Sequence, residues 1–171
     1  MSSEPTKSVF RGCKNPGADI AMKIIILAAL IAALFLFAFQ FYKVQDHEMS
    51  PYFEEGDLVL VNRLSHDFYQ DDVILYESNG ELKLGRILAV GGDVVSVGDQ
   101  GELLVNGTNM NNGISETILS DAAGYPLRIS ENEIYVCGDN RTQCTDSRDY
   151  GTIPVSRVKG RAIFLLRRTN F

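Results

Sequence analysis

The sequence predicts a mostly β domain of antiparallel strands, carried behind one N-terminal apolar helix. Three observations lead there. The stretch from Ile24 to Phe39 is wholly apolar. After Tyr42 no helical period of useful length occurs. In its place, short runs of alternating or β-branched residues recur, each bounded by Gly, Asn or Asp.

The apolar run reaches 19 residues when Gln40, Phe41 and Tyr42 are included, close to the roughly 20 that a spanning helix needs. Lys23 can snorkel at one edge and Tyr42 can sit at the other interface. A cleaved secretory signal fits less well, because Ala38-Phe39-Gln40-Phe41 offers no small-x-small site. A buried core helix fits less well too, because the run has no polar face. Lys7, Arg11, Lys14 and Lys23 all precede the span, which places the N-terminus in the cytoplasm by the positive-inside rule. The expected organisation is a cytoplasmic tail over 1–22, a transmembrane helix over 23–42 and an extracytoplasmic β domain over 43–171. The last piece is long enough to bury one core.

Within that domain the β-like runs are Leu58–Val61, Val73–Tyr76, Leu82–Val90, Val94–Val97, Glu102–Val105, Glu133–Val136 and Arg161–Leu166. Asn79-Gly80 sits between two of them and predicts a hairpin. Residues 108–124 are polar and weakly patterned, and read as a long surface excursion.

Charge and composition exclude several function classes. Acidic residues number 22 against 16 basic ones, a formal charge of -6. Nucleic acid is thereby a poor partner, since phosphate binding rests on clustered Lys and Arg. No CxxC pair occurs and His47 and His66 stand far apart, so neither a metal nor another cofactor is expected.

Three segments, read in order, resemble type I signal peptidases. The first is Glu48-Met49-Ser50-Pro51 followed by Gly56-Asp57-Leu58-Val59, where the family writes Ser-Met-x-Pro and then a G-D-x-V strand. The second is Gly85-Arg86-Ile87-Leu88-Ala89-Val90-Gly91-Gly92-Asp93, where the family writes Lys-Arg, an apolar strand and a Gly-Asp turn. The third is Gly138-Asp139-Asn140-Arg141-Thr142-Gln143-Cys144-Thr145-Asp146-Ser147-Arg148. It follows the family's G-D-N-R-x-x-S-x-D-S-R except at Cys144, and it is the specific one. The resemblance covers roughly residues 20–168 and implies a signal-peptidase-like antiparallel-sheet domain outside the membrane.

The resemblance also implies a Ser-Lys dyad, in which a Ser oxygen attacks the scissile carbonyl and a neutral Lys takes its proton. Such a Lys must be desolvated so that its pKa falls. Here Glu48 stands at the nucleophile position and Gly85 at the base position. Cys144 stands where a Ser normally supports the Lys. Loss of either dyad member alone removes orders of magnitude in rate, so the chain is expected not to be an enzyme. The rival is a displaced dyad of Ser50 and Lys83, each two residues from the vacant position and on the same strand face. Two residues move a side chain by about 6–7 Å, and misplacement by about 1 Å already costs ~100-fold. Ser50 therefore reads as a loop polar group and Lys83 as a solvated charge. His47 reads as a member of a surface pair.

By the same resemblance Asp139 and Asp146 pair with Arg86 and Arg148, in a structural charge network that includes Arg141. Cys137 and Cys144 lie outside the membrane, where disulfides persist. They are candidates for a disulfide, with a buried thiol pair as the alternative.

Signal-peptidase-like proteins without the dyad resemble components of pilus assembly in Gram-positive bacteria. That implies a membrane-tethered pseudoenzyme acting on secreted pilin subunits or with sortase, in a chaperone-like role. Its peptide-binding groove would involve Glu48, Met49, Ser50, Lys83, Gly85 and Cys144. An active signal peptidase using Ser50 and Lys83 on leader peptides is the competing expectation.

Overall fold

The computed structural model describes residues 16–99, 101–110 and 124–167. The expected tail up to residue 15, and residues 111–123 of the expected surface excursion, lie outside the described residues. The chain divides into two units, Met1–Leu36 and Phe37–Phe171.

The first unit is built on helix α1, Pro16–Ala38. Pro16 lacks the N–H that a first helical turn leaves unbonded anyway, and Asp19 faces the positive end of the helix. Its 23 residues extend about 34 Å, enough for a hydrocarbon layer about 30 Å thick. Large apolar side chains such as Ile25, Leu30, Leu34 and Leu36 are exposed on every face. Among the described residues it is the one helix long and apolar enough to cross a membrane. The expected bounds of 23–42 differ from those observed. The helix begins earlier and stops at Ala38, because Phe39–Lys43 is a strand, β1, held in register from Phe39↔Asn62 to Lys43↔Leu58.

The second unit is all antiparallel. After β1 come β2 (Leu58–Asn62), β3 (Val73–Ser78), the long β4 (Glu81–Val90), β5 (Val94–Val97), β6 (Leu103–Val105) and β7 (Thr108–Asn109). Then follow β8 (Leu127–Arg128), β9 (Glu133–Cys137), helix α2 (Ser147–Tyr150), β10 (Ile153–Pro154) and β11 (Val158–Leu166). One sheet has the order β1-β2-β11-β3-β4-β9-β10 and the other β7-β6-β5-β8.

Asn79 and Gly80 both have positive φ, 51° and 83°, the pair of conformations a two-residue primed turn requires. They join β3 to β4 with Ser78 opposite Glu81. Asn106 and Gly107 repeat that geometry and join β6 to β7. Thr108 and Asn109 thus form a strand, where the sequence reading has the start of a surface excursion.

Alternating side chains sort the strands into three apolar clusters. Leu75 packs with Tyr42, Val44, Met49, Val59 and Leu84. Its neighbours Ile74 and Tyr76 face the other way, with Ile87, Ile134 and Val136. Both faces of β3 are therefore covered, which explains its nearly continuous apolar run. The third cluster, with Leu88, Val95, Leu103, Tyr135 and Cys137, joins the two sheets.

The positioning feature is β4. Its first half pairs with β3, from Ser78↔Glu81 to Val73↔Arg86. Its second half also pairs with β9, from Arg86↔Cys137 to Val90↔Ile134. Glu81–Gly85 consequently has a strand neighbour on one side only among the described residues. β1 likewise pairs with β2 alone.

The wall after β9 is organised by Asp146, 2% exposed. Its carboxylate caps α2 by accepting from the Arg148 amide, and Asp149 returns a bond to the Asp146 amide. It also accepts from the Gly138 amide and from the Arg148 guanidinium through Nε and Nη2, each at 2.9 Å. Burial pushes the carboxyl pKa up, but the bonds and charge of Arg148 outweigh it, and the net shift is downward. A depressed folded-state pKa gives stability that is present above the unfolded value of about 4 and lost as pH falls through the folded value. Urea unfolding of the full chain in detergent should therefore show a midpoint that declines below about pH 5. Asp146→Asn should flatten part of that decline. At pH 7 it should cost about 3–5 kcal/mol, because it strands a buried arginine.

Candidate functional site

A turn and two strand edges build the site. After β1, Val44 donates to Asp57 O and Gly56 returns to Val44 O, closing residues 44–57 into a loop. Met49 is fully buried in the cluster under β1 and β2, and Phe53 donates back to Met49 O. Anchoring Met49 fixes how its neighbours Glu48 and Ser50 leave the turn. Opposite lies the first half of β4, paired on one side only among the described residues and bridged to β1 by Tyr42 Oη, which donates to Leu82 O at 2.9 Å. The groove between them is about 660 Å³ and is lined by Phe41, Asp46, Glu48, Leu82 and Lys83 among others.

Glu48 and Lys83 meet in this groove. Lys83 Nζ donates to Glu48 Oε1 at 2.7 Å, and each side chain is 17% exposed. This corrects the reading of Lys83 as a solvated charge: on the same face as position 85, it reaches the carboxylate at 48. With most water removed, breaking such a pair by deleting one partner costs about 1–3 kcal/mol.

Gly85 has no room for a side chain. A Cβ there would fall inside van der Waals contact with Val136 Cγ1 and at 3.0 Å from the Tyr76 ring. Tyr76 is buried and its hydroxyl meets that of Tyr150 at 2.9 Å. Burial raises the Tyr76 phenol far above its ordinary pKa, with smaller contributions from Tyr150 and the charge of Glu48. Burial likewise pushes Tyr150 up to about 12. Neither phenol is a base near neutral pH.

Ser50 is the loop polar group the sequence suggests. Its Oγ donates to Glu54 Oε1 at 3.0 Å, while Lys83 Nζ is engaged by Glu48. His47 is exposed and lies 3.4 Å from Glu55 and 3.9 Å from Glu54.

The segment after β9 closes one end. Asn140 N donates to Glu48 O at 2.9 Å, and Asn140 Nδ2 to His47 O. Gly138 permits this approach, because a Cβ there would lie 2.6 Å from Glu48 O and 2.7 Å from Cys144 Cβ. Cys144 Sγ donates to Asp146 Oδ2 and accepts from Arg148 Nη2 at 2.8 Å. Burial, then the charge of Asp146, pushes its thiol up to about 12, so it is no nucleophile at neutral pH.

Of the two readings left open for Cys137 and Cys144, the structure shows free thiols and no disulfide between them. Cys137 turns into the cluster between the sheets while Cys144 faces Asp146 and Arg148.

The charge pairs implied by the resemblance are Arg86 with Asp139 and Arg148 with Asp146. Arg86 binds Asp139 through Nε and Nη2, both at 2.8 Å, and donates to Asp71 O. Its guanidinium also lies 5.6 Å from the Tyr52 ring centre. Arg141 joins this network through its backbone, its carbonyl accepting from Arg148 Nη1 at 2.8 Å. Its side chain is 3% exposed, and Nε and Nη1 have no hydrogen-bond partner among the described residues. Asp139 and Asp146 are engaged by the other arginines.

Sequence reasoning missed Tyr76, Tyr150 and Tyr42. Tyr76 reads only as one more apolar residue of a buried strand. Tyr150 lies beyond the motif, and Tyr42 reads as an interfacial residue of the span.

The model of the family described as "Signal peptidase, peptidase S26" matches residues 18–166. Relatives include "Signal peptidase I" of Bacillus caldolyticus, 27% identical over 81% of this chain and 85% of its own. "Signal peptidase I" of Bacillus licheniformis is 29% identical over 84% and 86%. Among solved structures, a signal peptidase I from Enterococcus faecalis is 24% identical and covers 56% of this chain and 96% of its own, with a TM-score of 0.46. With a family model matched over most of its length, this membrane-anchored chain belongs to the signal peptidase family, peptidase S26.

Proposed function

We propose that this protein is a non-cleaving member of its family that holds an extended segment of a secreted protein in the groove between β1 and β4. The observation that carries the reading is the Glu48–Lys83 ion pair. At the position of the attacking hydroxyl is a carboxylate, and the nearest amine is bonded to it. A carboxylate held by a lysine has no proton to lose, and a lysine held by a carboxylate is not the desolvated neutral amine that a Ser-Lys mechanism needs. Gly85 leaves no second amine.

Binding needs only the groove. Two strand edges line it, and each carries backbone groups without a strand partner among the described residues. An extended peptide can pair with such edges by strand addition, with its alternate side chains entering the groove. Positive charges before the span favour an N-terminus in the cytoplasm and a groove on the outer side. The resemblance to dyad-less pilus-assembly proteins of Gram-positive bacteria makes secreted pilin subunits, or sortase, the favoured partners.

One observation favours a second reading. Lys83 stands inside the groove, little exposed, and the relatives are named signal peptidases. A displaced dyad of Ser50 and Lys83 would need Ser50 to leave Glu54 and Lys83 to leave Glu48.

The full chain in detergent, mixed with a secretory or pilin precursor, should release no leader peptide above the buffer rate. Cleavage that disappears in both Ser50→Ala and Lys83→Ala would instead establish the displaced dyad. Binding should be seen with a photocrosslinker at Leu82, and Lys83→Ala should weaken the crosslink while lowering stability by about 1–3 kcal/mol.

Restoring the family residues should be obstructed by packing. Glu48→Ser with Gly85→Lys should lose about 1–3 kcal/mol of stability through overpacking against Val136 and Tyr76 and should stay inactive. Adding Val136→Ala should recover much of that loss, read as the urea midpoint. Cleavage by any of these variants shows that the groove still positions a scissile bond.

A further inference from the structure

We propose that the cavity beside the Arg86–Asp139 pair binds a single carboxylate, from an acidic side chain or a chain terminus, with Arg141 as its counter-ion. The cavity holds about 290 Å³ and is lined by Tyr52, Asp71, Arg86, Leu88, Met110, Asp139 and Arg141. It is not the peptide groove. Glu48 and Lys83 do not line it, and Arg86 leaves β4 on the face opposite Lys83 and Gly85.

Arg141 is the reason to expect a ligand. Its side chain is 3% exposed, and Nε and Nη1 have no hydrogen-bond partner among the described residues. A guanidinium cannot shed its charge as a buried lysine can. Among the described residues the buried carboxylates are taken: Asp139 by both nitrogens of the Arg86 fork and Asp146 by those of Arg148. Asp71 is exposed and lines the cavity; its backbone carbonyl accepts from Arg86 and its charge acts on that same guanidinium. Cys137 and Cys144 are the other acids nearby, and burial keeps both protonated.

The shape of the site narrows the ligand. A carboxylate adds a single negative charge beside Asp139 and Asp71, whereas a phosphate dianion would add two. Leu88 and Met110 are buried and give the cavity an apolar wall, which suits the methylene stem of a carboxylate better than a bare inorganic ion. The guanidinium supplies the planar donors that a carboxylate accepts.

The test uses the full chain in detergent at fixed ionic strength. Isothermal titration is run with N-acetylglutamate α-amide (side-chain carboxylate), N-acetylalanine (terminal carboxylate), N-acetylglutamine amide (neutral) and inorganic phosphate. At least one carboxylate probe should bind saturably at one site per chain and raise the thermal midpoint, and the stronger of the two identifies the source. The neutral probe should not bind, and phosphate should bind more weakly. Arg141→Met should reduce affinity about 10-fold or more, the loss of one charge-assisted contact. If that variant does not fold, Arg141→Lys, which keeps the charge and loses the fork, should reduce it measurably. No saturable binding by either carboxylate, equal affinity in both variants, or phosphate binding as tightly as carboxylate overturns the proposal.

Discussion

The groove wall rests on a buried carboxylate that has no solvent to fall back on. Asp146 accepts from the Gly138 amide, the Arg148 amide, two guanidinium nitrogens and the Cys144 thiol. Those bonds set the path of the chain from β9 into α2. Arg86 binds Asp139 from β4 and ties that same path to the second strand of the groove. Asn140 can then reach the carbonyl of Glu48, which fixes the turn leaving β1. A bidentate arginine has one good geometry, so two such pairs specify the spacing between the turn at 48 and the strand at 83. Removing one partner leaves a charge in a dry place, so the arrangement resists gradual drift.

Much of the fold is legible in the sequence, and the reason is local. Asn79-Gly80 and Asn106-Gly107 demand positive φ at consecutive residues, and both become primed hairpin turns. Runs such as Val73–Ser78 declare strands through their β-branched and apolar content. The span is visible as uninterrupted apolar chain, but its end is not. Phe39–Lys43 continues the aromatic, apolar composition, and only pairing with Leu58–Asn62 turns it into a strand. The short strands β8 and β10 carry two residues each. Partners far along the chain define them, and no local pattern could.

The site was legible where it resembled a motif and opaque where a contact joins residues that no motif links. The Arg86–Asp139 and Arg148–Asp146 pairs follow from the motif. The Glu48–Lys83 pair does not, because the two residues are 35 apart and neither belongs to a motif as it stands. The free state of Cys137 and Cys144 was equally hidden: only six residues lie between them, yet one thiol joins an apolar cluster and the other a charged one.

The residues at positions 48 and 85 are physically coupled. A carboxylate at 48 that is only 17% exposed needs a cation, and Lys83 provides it. A lysine at 85 would supply a second cation to the same small space, and Coulomb repulsion between the two amines would oppose both being charged. With glycine at 85 that conflict disappears, and Val136 and Tyr76 occupy the volume that the longer side chain would need. The Tyr76 hydroxyl is carried in turn by Tyr150, so the filled space leaves no unpaired polar group there. Charge at one position and volume at the other are therefore both compensated. Such a groove is a stable surface in its own right, with the Glu48–Lys83 ion pair among its lining residues.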